Sequence, residues 1–115
     1  MPYLKIPFDS LRLDPIDLPE DSREWLHACY DAIGCDCIEV ASTFIPDLAL
    51  IVDESGKCWD GWEDRINPLA SILYGSPNDP IVGTAILARR VDPDIVPLTS
   101  EDVAIVRRIL KPFLP

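Results

Sequence analysis

Two strand-like runs separated by four residues constrain this chain more than any other feature. Residues 37–43 (CIEVAST) alternate, with Ile38, Val40 and Ser42 on one side and Cys37, Glu39, Ala41 and Thr43 on the other. Residues 48–54 (LALIVDE) are apolar until Asp53, as in a strand covered on both faces. The link between them contains Pro46-Asp47, which suits a turn. A parallel pair needs a crossover of roughly a dozen residues or more. The two runs are therefore expected to form an antiparallel hairpin.

The other elements are read as packing against that hairpin. Residues 3–8 (YLKIPF) form a short first strand that ends or lies at an edge at Pro7, because proline donates nothing to a ladder. Residues 9–19 are rich in Asp and Pro and read as a brief strand or an extended loop. Asp21 with Glu24 resembles a capping box. Trp25, Leu26, Cys29, Tyr30 and Ile33 then recur at helical spacing, and Gly34 supplies the stop. His27 falls on the solvent side of that helix. Asn67-Pro68 opens a second, short helix that ends at Gly75. Residues 81–89 (IVGTAILAR) read as a strand, with Gly83 as a bulge or a point of close approach. Thr99 and Asp102 cap a last helix, whose buried face is Val103, Val106, Ile109 or Leu110, and Phe113. The expected order is β-α-β-β-α-β-α. This is an α+β fold, a mostly antiparallel sheet of about four strands with helices chiefly on one face.

With 115 residues, 48% of them apolar, the chain matches one domain spanning residues 1–115. Folding at this size removes roughly 65% of the extended chain's surface from water, enough for one core without staples. No apolar run approaches the ~20 residues that cross a bilayer. The opening Met-Pro-Tyr-Leu-Lys-Ile-Pro lacks the pattern of a signal peptide, so a cytoplasmic location and no membrane contact are expected.

The net charge of −10 is uneven. Residues 1–64 carry fifteen acids against Lys5, Arg12, Arg23 and Lys57, a net of −11, while residues 65–115 carry a net of +1. That balance opposes direct nucleic-acid binding, which depends on cations meeting phosphates. It serves solubility, or it forms an acidic face for a basic partner.

Cys29, Cys35, Cys37 and Cys58 with His27 have the wrong spacing for structural zinc and read as free thiols, so no metal and no cofactor are expected. Asp92 with Asp94, and Asp53 with Glu54, read as loop and strand-end carboxylates. There is no phosphate loop, nucleophile elbow or His-Glu-x-x-His motif, and a single histidine argues against a Ser-His-Asp triad. The chain reads as a non-enzyme.

The most suggestive group is Trp59, Trp62 and Arg65, just ahead of Asn67. Two indoles in a polar loop are costly to expose. Stacked on a base, with Arg65 and the Asn67 helix start toward a phosphate, they make a coherent site for a small nucleotide-like ligand. The bland reading is that the rings cover the core or seal a contact between copies in a homo-oligomer. Asp60, Glu63 and Asp64 oppose an anion unless they point outward. A second group, Arg89, Arg90 and Arg107 with Arg108 and Lys111, offers possible anion contacts, or only a solvated helix end.

Ile38-Glu39-Val40, then Asp53-Glu54 with Gly56, then Asn67 with Ala70, then Gly83 appear in an order that resembles a small family of proteins catalogued as a domain of unknown function. That family is common in bacteriophages and mobile elements. The likeness covers about residues 35–88. The WDGWEDR stretch at 59–65 and the length of the last helix depart from it. The resemblance implies a phage-type accessory protein, with counter-defence by sequestering a nucleotide-like signal in the host cytoplasm as the expected role. An acidic inhibitor or DNA mimic that contacts a basic host-protein surface is the alternative.

Overall fold

A computed structural model describes residues 2–115. The expected hairpin is present. β3 (Ile38–Ser42) pairs antiparallel with β4 (Leu48–Asp53), with Ile38 opposite Asp53 and Ser42 opposite Ala49. β4 in turn pairs antiparallel with β5 (Ala85–Val91), and β5 with β1 (Tyr3–Ile6). The fold is α+β, an antiparallel sheet with three helices.

The sheet is larger than the expected four strands, and the element order differs accordingly. β2 (Asp14–Ile16) pairs with β1, giving the order β2-β1-β5-β4-β3. β6 (Asp94–Val96) pairs with Arg89–Val91 of β5. Because β4 occupies the other edge of β5, β6 and β1 share one side of it. Both added strands are three residues long. β2 falls in the 9–19 stretch that reads as a brief strand or an extended loop and is interrupted by Pro15, while β6 lies in the Pro- and Asp-rich connection and carries no readable alternation. β5 also starts four residues later than the sequence suggests. Gly83 sits at φ +84° and turns the chain, and Val82 makes only an isolated bridge to Ile66.

Alternation along the central strands divides the core in two. Leu48, Leu50 and Val52 of β4, Ala85 and Leu87 of β5, and Leu4 and Ile6 of β1 face one side. There they meet Leu69, Ala70 and Leu73 of α2 (Pro68–Tyr74) and Val106 and Leu110 of α3 (Ser100–Leu110). Ile51, Ile86, Ala88 and Tyr3 face the other side and meet Cys29 and Ile33 of α1 (Ser22–Ile33). Two helices thus cover one face and one covers the other.

The helix ends follow the sequence closely. Asp21 accepts from the N–H groups of Arg23 and Glu24, and Gly34 stops α1 in the left-handed region. Thr99 and Asp102 form a full capping box on α3. Phe113 is the exception, being 48% exposed where a buried position was expected. Lys111–Phe113 form a tighter 3₁₀ turn containing Pro112, so Phe113 leaves the face set by Val106 and Leu110. Among the described residues no helix is long and apolar enough to cross a membrane.

Candidate functional site

α1 ends at Gly34 and β4 ends at Asp53, and the register Ile38–Asp53 places Cys35 and Asp36 beside that strand end. The chain then makes a short 3₁₀ turn, Gly56–Cys58, and a second one, Trp62–Arg65, before Asn67. Between these pieces lies an open groove of about 860 Å³. It is lined by Tyr30, Asp31, Gly34, Cys35 and Asp36 from the end of α1 and the link to β3, by Asp53 and Ser55 from the end of β4, and by Trp59 and Arg65 from the two turns.

Trp59 leaves the first turn in an extended conformation and is 62% exposed, the most exposed large hydrophobic side chain among the described residues. Arg65 is held from two directions. Its carbonyl accepts from the Gly83 N–H at 2.7 Å, and its guanidinium lies 5.0 Å from the centre of the Phe8 ring. Glycine is favoured at position 83 by its left-handed φ of +84°; a Cβ there would meet Arg65 Nη2 only at an ordinary contact distance of 3.5 Å.

The groove is acidic. Asp31, Asp36 and Asp53 face Arg65 alone, and α1 contributes the negative end of its dipole with no basic residue in its last turn. Asp53 also accepts from the Ser55 N–H at 2.9 Å, which fixes the turn. Burial pushes the Cys35 thiol above its ordinary range; a hydrogen bond with the Cys37 backbone opposes this, and the Asp53 and Asp36 charges add to it. Burial therefore favours the neutral thiol over the thiolate at Cys35. The groove presents one exposed indole, three carboxylates and one cation.

The remaining residues singled out from the sequence are dispersed. Trp62 is half-buried on the second turn and does not line the groove. Asn67 is wholly buried: its amide donates to the carbonyls of Ile6 at 2.8 Å and Gly83 at 3.0 Å, and its oxygen caps α2 at the Ala70 N–H. That leaves no donor for a ligand. Arg89 is committed to Asp102 through two bonds of 2.8 Å. Arg90 reaches Ser42 Oγ at 3.4 Å and Asp92 at 3.7 Å, and Arg107 lies exposed on α3. Arg89 and Arg90 line one groove with Asp47 and Asp92, and Arg107 does not line it. His27 is exposed, edge-on to Tyr30. Among the described residues no three of His, Cys, Asp and Glu are placed to hold a metal.

Asp53 was read from the sequence only as a strand-end carboxylate, and Tyr30, Asp31, Cys35 and Asp36 were not singled out as site residues. Their signal is topological: once a hairpin follows a helix stopped at Gly34, the helix end and the strand end at Asp53 must be neighbours.

A family model described as Domain of unknown function (DUF3846) matches residues 7–113, and the chain belongs to that family. The match runs past both ends of the 35–88 stretch whose motifs suggested such a domain. No curated protein and no solved structure matches the chain.

Proposed function

We propose that this DUF3846 protein is a non-enzymatic binding protein that holds a small nucleotide-like molecule in the Trp59–Arg65 groove. The observation that supports this most is the exposure of Trp59 at 62% in a groove that it lines together with Arg65. A base stacked on that indole would gain ~1–3 kcal/mol. Sugar hydroxyls would donate to the carboxylates of Asp36 and Asp53, and Arg65 would meet one phosphate. Three carboxylates beside one arginine repel a polyanion, so the ligand class narrows to nucleosides and to nucleotides of low charge. The phage-type likeness of the sequence motifs extends the reading to a cellular role: sequestration of a signalling nucleotide in the host cytoplasm, as counter-defence.

Titration calorimetry with adenosine, a nucleoside monophosphate, a cyclic nucleotide and ADP-ribose tests this. The expected result is binding of at least one of them, weakened roughly 5- to 150-fold by Trp59→Ala. Arg65→Ala should weaken the phosphate-bearing ligand but leave the nucleoside nearly unchanged. No heat with any of the four, or a Trp59→Ala variant that binds like the parent, would sink the reading.

The acidity of the same groove favours a second reading, in which Asp31, Asp36 and Asp53 dock on a basic host-protein surface. Capture of a host protein at low salt, lost at high salt and lost on replacing these acids by Asn, is expected in that case. No capture at low salt removes this reading.

A further inference from the structure

β3 is one of the two outer strands of the sheet, and its free edge is unprotected. The bonds Glu54 N–H to Cys37 O and Thr43 N–H to Leu48 O fix which residues face β4. They assign Cys37, Glu39, Ala41 and Thr43 to the β4 ladder. The N–H and C=O groups of Ile38, Val40 and Ser42 therefore point outward, and no residue described here bonds to them. Outer strands are commonly blunted by proline, lysine, a bulge or a covering loop. Ile38–Ser42 has no proline, no lysine and no bulge, and Ile38, Val40 and Ala41 are only half-buried. β2, the opposite outer strand, is three residues long and contains Pro15.

We propose that β3 is a docking edge for a second copy of this chain, paired antiparallel about a two-fold axis at Val40. The pairing is self-complementary. Val40 faces the partner's Val40, and Ile38 and Ser42 exchange places, giving up to about six backbone bonds. Glu39, the only charged residue of the strand, faces the partner's Ala41 and not a like charge. The start of β3 is acidic, with Asp36, Asp53 and Glu54. Its end carries Arg90, which is bonded to Ser42 Oγ and lies 3.7 Å from the exposed Asp92 and beside Asp47. An antiparallel pair sets each acidic end beside the partner's Arg90. Because Asp36 rims the groove, that arginine would also bring a second cation to its mouth. A five-residue edge falls short of the ~1,200 Å² typical of stable complexes, so the dimer should dissociate on dilution. The proposal stands whether or not the groove takes a nucleotide.

Sedimentation velocity of the full chain from micromolar to millimolar concentration tests it. A reversible monomer–dimer equilibrium is expected. Val40→Pro removes an outward donor without touching the β4 ladder and should weaken the dimer at least about tenfold, with the fold checked by circular dichroism. A charge exchange decides the matter independently of that variant's folding: Arg90→Glu and Asp36→Arg should each weaken the dimer, and the double variant should restore it. A chain that stays monomeric at every concentration overturns the proposal. So does a dimer indifferent to Val40→Pro, or a double variant no better than either single one. A monomer that instead adds a foreign extended peptide to this edge would also show that a second copy is the wrong occupant.

Discussion

Replacing Asn67 with alanine is expected to cost this protein about 3–5 kcal/mol, more than any other single polar substitution considered. The side chain is fully buried and joins three elements that are distant in sequence. It caps α2 at Ala70 and donates to Ile6 at the end of β1 and to Gly83 before β5. Losing the cap alone costs about 1 kcal/mol. The two carbonyls left without donors cost about 1–3 kcal/mol each, reduced where the site relaxes. A domain of this size has roughly 5–15 kcal/mol in total, so a large share is at stake. Asn67→Asp separates the two roles. It retains the oxygen that caps α2 but turns a carboxylate toward two carbonyls in a dry site. Urea unfolding should place both variants far below the parent. An Asn67→Asp variant near parental stability would mean that the cap is the whole of the role and that the carbonyl bonds contribute little.

Asn67 also shows where the sequence stops being informative. Asn followed by Pro announces a helix start from neighbouring residues alone, and the helix is there. Which way the amide points depends on Ile6, 61 residues away, and no local pattern encodes that. The same division runs through the chain. The β3–β4 hairpin, the Gly34 and Gly75 stops and the Thr99 box are local and were legible. The three-residue strands β2 and β6 exist because β1 and β5 offer them open edges, so pairing makes them and their own residues do not. Of the groove's lining, Trp59 and Arg65 were singled out from the cost of exposing an indole and from the cation nearby. Its carboxylates needed the register of β3 on β4 before Asp36 and Asp53 became neighbours. Arg89, read as a possible anion contact, was already taken by a carboxylate 13 residues further along the chain.

Arg89 and Asp102 should show an asymmetric response to mutation. Asp102 has a side chain 5% exposed and accepts two bonds from Arg89, at 2.8 Å each, plus the Thr99 N–H at 2.9 Å. Chiefly because of the Arg89 hydrogen bonds, its carboxyl is held down to about 2, against an ordinary value of 3.8. Arg89→Ala strands this carboxylate in a nearly dry site, with an expected cost of about 3 kcal/mol. Asp102→Ala removes the capping-box acid but leaves an arginine that is 30% exposed and reaches water, so about 1–2 kcal/mol is expected. The pH dependence follows from the direction of the shift. A carboxyl with a depressed folded-state pKa contributes stability that is fully present above about pH 4. That contribution, about 2 kcal/mol, is lost as pH falls from there through about 2. Lysine at position 89 retains the charge but not the two-pronged geometry and should recover only part of the loss. Unfolding measured between pH 2 and pH 7 should show the parent and Arg89→Ala curves far apart at neutral pH and converging in acid. A constant gap across that range would mean that Arg89 stabilises α3 through its packing against the sheet and not through the Asp102 carboxylate.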